Sequence, residues 1–208
     1  TWEDQNIPAI VQAWHLGSKS GDAIAQVLYG DYNPSGKLTM SFPRNVGQVP
    51  IYYNYKNTGR PSTSVEQVTN SGYADVENSP LYSFGFGLSY TSFEYSDFKI
   101  DTNSMTKDSK INASVAVKNT GEYAGKEVVQ LYLRDIVGSI ARPMKELKGF
   151  EMIELKPGET KTVTFEIDNS LLEFYSFNNL WESEPGKFHL FIGSSSDVKD
   201  YKEFYLKD

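Results

Sequence analysis

Two acidic side chains in one loop are the nearest that this sequence comes to a pair of catalytic groups. Asp75 and Glu77 follow Tyr73 and are two positions apart, so in an extended chain their carboxyl groups point the same way. Two carboxyl groups that meet across a cleft, one ionised and one protonated, can support hydrolysis through acid–base and nucleophilic steps. Exposed acids are the common case, however, so solvated loop charge is the favoured interpretation and a functional pair is the alternative.

The other residue types argue against several further kinds of site. Cysteine is absent, and the two histidines, His15 and His189, stand far apart in the sequence, so we expect no metal site and no thiol chemistry. We expect His189 on the outer surface of a strand and His15 in a turn or an interface. The glycines between residues 17 and 36 follow neither a dinucleotide nor a phosphate-loop spacing. We therefore predict that the chain binds no cofactor.

Net charge and hydropathy limit the possible partners. The 208 residues carry a formal net charge of −7, which argues against nucleic acid and anionic membrane surfaces as partners. The longest apolar runs are far too short to cross a bilayer. Residues 1–18 lack the basic start and apolar block of a signal peptide, so we expect any export signal to lie upstream of them.

The first 42 residues show a strand–helix–strand pattern. The apolar run from Ile7 to Trp14 predicts a strand buried on both faces, with Trp14 in the core. Apolar residues at helical spacing predict a helix from Gly21 to Tyr29, and the alternating stretch from Lys37 to Phe42 predicts a second strand. Because two parallel strands and one helix leave a sheet face and both edges uncovered, we expect the rest of this sheet to come from elsewhere.

A different pattern begins after a loop-rich stretch at residues 44–80, and we expect the domain boundary near Leu88 to Phe93. From Phe93 onward, short apolar–polar alternations are separated by turn residues, as in the sets 113–117, 129–133 and 163–167. About seven such strands are typical of an immunoglobulin-like or fibronectin type III-like sandwich. The predicted fold class is therefore an incomplete α/β sandwich over residues 1–90, followed by an all-β sandwich over residues 91–208.

Several motifs in both parts resemble glycoside hydrolase family 3, in the version found in bacterial periplasmic β-glucosidases. In the first part they are AWHLG at 13–17, GDAIAQVLYGDYNPSGKL at 21–38, SFP at 41–43, PIYYN at 50–54, NTGRP at 57–61 and LYSFGFGLSY at 81–90. In the second part they are NTG at 119–121, LYL at 131–133, RP at 142–143, LKGF at 147–150 and LKPGE at 155–159. The resemblance therefore covers essentially the whole chain.

The resemblance implies a retaining hydrolase that releases terminal non-reducing β-D-glucosyl residues from β-linked glucosides or oligosaccharides. Members of the family contain a TIM-like barrel, an α/β sandwich and a terminal β-module. The nucleophilic aspartate and the acid/base glutamate would both lie upstream of residue 1, so we expect no catalytic residue here and no activity from this chain alone. The expected partner is the missing N-terminal barrel domain, and the expected location is periplasmic or secreted.

The resemblance also gives the loop at 70–78 a possible role. An aromatic ring beside a carboxylate is usual in a sugar subsite, so Tyr73 and Asp75 are candidate substrate-binding residues, with interdomain packing as the alternative. Trp2, Trp14 and Trp181 would stack on sugars if they were exposed in a row, but their neighbours argue otherwise: Trp14 is expected in the core and Trp2 stands at the terminus. Trp181 lies in a predicted loop with Glu182 and Glu184 and fits either role. Two other functions stay open, a stand-alone carbohydrate-binding module and a structural sandwich that braces the enzyme or forms a homodimer.

Overall fold

The computed structural model describes residues 1–60 and 72–208, and it places almost all of the regular structure in the second part of the chain. The helical elements are α1 (Trp2–Asn6), α2 (Ser20–Leu28) and two 3-10 turns, Val46–Gln48 and Asn169–Leu171. The strands are β1 (Phe93–Ile100), β2 (Ser104–Met105), β3 (Ile111–Asn119), β4 (Gly125–Asp135), β5 (Glu146–Leu155), β6 (Thr160–Ile167), β7 (Phe174–Tyr175), β8 (Trp181–Glu182), β9 (Gly186–Gly193) and β10 (Lys202–Leu206).

Two sheets form the expected fibronectin type III-like sandwich. One has three strands in the order β1-β3-β6, and the other has five in the order β2-β10-β9-β4-β5. The pairings are antiparallel except for the short β2–β10 pair. A separate two-stranded hairpin joins β7 to β8. The predicted β-sandwich is therefore confirmed.

The core of the sandwich is made by the alternating residues that the sequence indicates. Ile111, Ala113, Val115 and Val117 of β3 are at most 1% exposed, and they face Val129, Leu131 and Leu133 of β4 within one apolar cluster. Burying a side chain such as leucine or valine contributes about 1.5–3 kcal/mol each. The sandwich therefore contains a complete hydrophobic core of its own.

The predicted strands of the first part do not form. Residues 7–16 pair with no strand in the described chain and are largely exposed. The stretch 37–42 instead runs against residues 81–86, with Leu38 N donating to Phe86 O at 2.8 Å and Phe42 N to Tyr82 O at 2.8 Å. The prediction of a strand–helix–strand unit is thus wrong for this chain, because a strand needs neighbouring strands to satisfy its backbone groups.

Much of the apolar surface of the first part has no cover. The prediction that Trp14 lies in the core is wrong, since Trp14 is 49% exposed and touches Phe42 only edge-on. Helix α2 forms as predicted, but none of its residues is buried. The exposed apolar side chains, hereafter the uncovered surface, are Ile7, Ile10, Val11, Trp14, Leu16, Ile24 and Leu28. Within the described residues, no helix is long and apolar enough to cross a membrane.

The segment at 50–56 and 80–90 lies against the outer face of the five-stranded sheet. Tyr53 stacks on Phe84 at 4.2 Å between ring centroids, and its ring meets Tyr132 of β4 edge-on at 6.0 Å. Beside them Gln130 is fully hydrogen-bonded: its amide donates to Gly85 O at 3.1 Å and to Ser194 O at 2.7 Å, and its oxygen accepts from the Tyr132 hydroxyl. This packing buries both faces of β4 at its centre.

A buried ion pair joins the two parts at one end of the sandwich. Lys37 Nζ lies 3.0 Å from Glu127 Oε2 and also donates to Gly87 O at 3.0 Å. The side chains of Lys37 and Glu127 are only 12% and 5% exposed. From the opposite sheet the Tyr95 hydroxyl donates to Glu127 Oε1 at 2.8 Å. Burial and, to a smaller extent, the Glu127 charge raise the pKa of Tyr95, so its hydroxyl stays a donor at neutral pH.

Candidate functional site

The loop that carries the candidate residues is held by a buried glutamine. Gln48 is 0% exposed; its side-chain oxygen accepts from Arg44 N at 2.5 Å, and its amide nitrogen donates to Glu77 O at 2.7 Å. The Tyr73 hydroxyl donates to Gln48 O at 3.1 Å. These bonds fix residues 73–79 on the 3-10 turn. Asn70 and Ser71, at the start of the predicted loop, lie outside the described residues, as does Pro61 of the NTGRP motif.

The two acids of this loop have different environments. Glu77 forms an ion pair with Arg44 at 2.9 Å and accepts a hydrogen bond from Ser79 Oγ at 3.1 Å. Asp75 is exposed and bonds to none of the described residues. The geometry therefore gives Glu77 a structural partner, whereas Asp75 is left exposed.

The histidines do not form a site. His15 is exposed, whereas His189 is only partly on the surface, because Tyr201 stacks on its ring at 3.9 Å. Glu203 lies 3.6 Å from His189 Nε2, yet burial, followed by the charge of Arg134, lowers the pKa of His189. The interpretation of His189 as a simple surface residue is thus too coarse. Among the residues that the structure describes, no three His, Asp or Glu side chains cluster in a way that would hold a metal ion.

The residues that hold the loop and the two parts together are the ones that the sequence analysis did not single out. Gln48 stands in a polar loop and has no pattern that marks it as buried. Glu127 does have a signal: it shares the inward side of β4 with Val129, Leu131 and Leu133, where a carboxylate requires a partner. Extending the inward alternation back from Val129 to Glu127 would have predicted a basic partner for Glu127.

Comparison with known proteins identifies both parts of the chain. Residues 1–90 match the "Glycosyl hydrolase family 3 C-terminal domain" model, and residues 127–196 match the "Fibronectin type III-like domain" model. A periplasmic β-glucosidase of Salmonella typhimurium is 52% identical over 93% of the chain, and a β-xylosidase of Formosa agariphila is 44% identical over 97%. The chain spans 26% and 27% of those two relatives, about a quarter of their length.

Solved structures agree with these matches. A β-glucosidase from Listeria innocua in complex with glucose is 42% identical, with a TM-score of 0.85 over 94% of this chain and 27% of that one. A β-glucosidase from Erythrobacter marinus is 40% identical, with a TM-score of 0.89 over 99% of this chain and 26% of that one. With these matches over nearly all of its length, the chain belongs to glycoside hydrolase family 3 and carries that family's C-terminal domain followed by a fibronectin type III-like domain.

Proposed function

We propose that this chain is the non-catalytic C-terminal portion of a β-glucosidase, with residues 1–90 completing its α/β sandwich domain and residues 91–208 forming its terminal module. The observation that carries the proposal is the coverage, since a chain that aligns over 93% of its length accounts for only 26% of the Salmonella enzyme. The start of β1 at Phe93 supports the position of the boundary. The name of that relative supports a periplasmic or secreted location.

The uncovered surface supports a partner for the first part. Ile7, Ile10, Val11 and Trp14 follow one another along a segment that is neither helix nor paired strand, and Ile24 and Leu28 project from α2 nearby in sequence. A soluble domain rarely leaves so many large apolar side chains exposed together unless another surface covers them. The partner that fits is the remaining portion of the same enzyme, which would add strands beside residues 7–14 and satisfy their backbone groups.

The relatives also suggest which portion selects the sugar. Both a β-glucosidase and a β-xylosidase have this portion at 52% and 44% identity to the chain. Enzymes named for different sugars thus share one C-terminal architecture. We assign the two catalytic carboxyl groups, about 5–5.5 Å apart in a retaining enzyme, and the choice of sugar to the remaining portion.

An aryl β-glucoside assay tests the proposal. We expect the 208-residue chain alone to release no aryl alcohol, because the proposal places both catalytic carboxyl groups in the remaining portion of the enzyme. A chimera in which this chain replaces the matching quarter of the Salmonella enzyme should keep kcat/KM within about tenfold of that enzyme, or about 1.4 kcal/mol.

The same enzyme with its C-terminal quarter deleted is the matched control, and it should be inactive or unstable. Cleavage by the isolated chain would show that catalytic groups are present in it. A chimera that folds with the thermal stability of the parent but does not turn over would show that this portion belongs to an enzyme of another kind.

We further propose that Tyr73 and Asp75 contact the substrate in the assembled enzyme. Two features support this: the hydroxyl of the half-buried Tyr73 bonds to Gln48 O and fixes the loop, and Asp75 is exposed two residues further on. In the chimera, Asp75→Ala should raise KM about tenfold, since a hydrogen bond to a charged group contributes about 1.5–3 kcal/mol. Asp108→Ala, which removes an exposed acid of the sandwich, should leave KM unchanged. Equal KM values in the two variants would assign the loop to packing between domains.

A further inference from the structure

The β7–β8 hairpin exposes more aromatic surface than its fold requires. Four large apolar side chains of this nine-residue segment point into solvent: Tyr175 is 52% exposed, Phe177 78%, Leu180 60% and Trp181 69%. They lie outside the apolar core of the sandwich. An exposed aromatic cluster of this kind marks a binding surface more often than a defect.

The hairpin is internally bonded, so its rings are held in place before any ligand arrives. Phe174 is buried under the Arg142 guanidinium, whose central carbon lies 4.2 Å from the ring centroid. Glu182 accepts hydrogen bonds from Ser176 Oγ and, at 2.9 Å, from Asn178 Nδ2. Holding the rings in advance lowers the entropy that binding must overcome.

The arrangement of the two strand aromatics limits the shape of a ligand. Tyr175 and Trp181 are paired across the hairpin, with ring centroids 6.1 Å apart and an angle of 64° between their planes. Rings at such an angle cannot both lie flat on a crystalline surface. They can contact two faces of a flexible chain of pyranose rings, because each sugar ring carries an apolar C–H face that packs on an aromatic ring.

The charge of the hairpin favours a neutral ligand. Between Phe174 and Glu182 there is no lysine or arginine, and Glu182 is the single carboxylate. Hydrogen bonds from Ser176 and Asn178 lower the pKa of Glu182, so this carboxylate is ionised and already has its donors. The remaining groups are amides, a phenol and an indole N–H, which complement the hydroxyl groups of an uncharged saccharide rather than a phosphate or an anionic lipid.

We propose that Tyr175 and Trp181 form a binding surface for a soluble, neutral β-linked glucan chain. The surface belongs to the β7–β8 hairpin and includes no residue of the loop at 73–79. It would hold the polymer near the enzyme without taking part in hydrolysis. This proposal goes beyond the β-glucosidase assignment and rests on it for the choice of a β-linked glucan.

Affinity electrophoresis of the 208-residue chain in gels containing barley mixed-linkage β-glucan tests this surface. We expect the polysaccharide to retard the chain, and Trp181→Ala to weaken binding at least tenfold. Trp2→Ala is the matched control, because Trp2 is 64% exposed but belongs to α1; it should bind as the parent chain does. Equal melting temperatures of both variants and the parent would show that the exposed substitutions leave the fold intact.

Three results would overturn the proposal. The first is a parent chain that the glucan does not retard, and the second is equal weakening by Trp2→Ala and Trp181→Ala, which would indicate nonspecific apolar contact. The third is a dimer in sedimentation that Trp181→Ala dissociates while glucan binding persists, which would assign the hairpin to self-association. None of these results bears on the aryl glucoside assay of the chimera, so the failure of one proposal is distinguishable from the failure of the other.

Discussion

Replacing Glu127 with leucine is expected to lower the free energy of unfolding of this chain by about 3–5 kcal/mol. The substitution leaves the ammonium of Lys37 in a site where its side chain is only 12% exposed, with Gly87 O as its remaining acceptor. It also removes the acceptor of the Tyr95 hydroxyl, which lies in the opposite sheet. Equilibrium unfolding in urea, followed by tryptophan fluorescence, measures the loss as a lower transition midpoint.

A double-mutant cycle separates the ion pair from its surroundings. Lys37→Met combined with Glu127→Leu should restore part of the lost stability, because no unpaired charge then stays buried. Lys110→Ala is the control: its pair with Glu166 is formed at 2.6 Å but both side chains are more than half exposed, at 53% and 55%, so the change should shift the urea midpoint far less than Glu127→Leu does. A loss from Glu127→Leu no larger than that of the control would show that the first part of the chain does not depend on this contact.

The sandwich is predictable from the sequence because the residue types along each strand show which side faces the core and which faces outward. Val129, Leu131 and Leu133 alternate with outward residues, and that alternation is a property of one strand that holds wherever the strand is paired. The inward sets of β3 and β6 behave in the same way. Fold class and core therefore follow from local pattern, which is why the prediction agrees with the structure in this part.

The first part is less predictable because its pattern describes a surface that this chain does not contain. The apolar run at 7–14 is typical of a strand buried on both faces, yet in this structure the same residues are exposed. The apolar residue types are those of a segment buried between neighbouring strands. Hydrogen bonds to such strands are needed before the segment can adopt strand structure. The error is thus informative, since it marks the segment that the proposed function places against the remaining portion of the enzyme.

For the candidate loop, the residue types suggested a binding role, but the sequence did not indicate which contacts each side chain makes. Tyr73 and Asp75 were chosen as an aromatic ring beside a carboxylate, and neither pattern nor spacing indicated that the Tyr73 hydroxyl would bond to Gln48 O. Gln48 itself is buried by residues that are distant in sequence, so no local window could reveal it. Hydrogen bonds between loops are the part of a fold that sequence periodicity does not encode.

Two of the contacts that join the parts of the chain act differently. The Lys37–Glu127 pair is a single charged contact at one end of β4, whereas Gln130 connects Gly85 and Ser194 at the centre of the strand. A substitution at the second contact changes backbone geometry as well as bonding. Its effect should therefore appear in the position of the segment at 80–90, in addition to overall stability.

Replacing Gly85 with alanine tests this second contact and should cost about 2–5 kcal/mol of unfolding free energy. Gly85 has φ +80°, which an L-residue adopts only with strain, and an added Cβ would lie 2.1 Å from Gln130 Oε1. Gly158→Ala is the matched control, because Gly158 has φ +76° with open space around it and should lose only about 1 kcal/mol. Hydrogen exchange gives a second readout. The amides of residues 38 and 85 donate to Phe86 O and Leu38 O, and both should exchange faster in Gly85→Ala, while the exchange rates of the β3 amides should not change. Equal losses in the two variants, with unchanged exchange at Leu38, would mean that Gln130 rotates away freely and that the segment is held by its aromatic contacts alone.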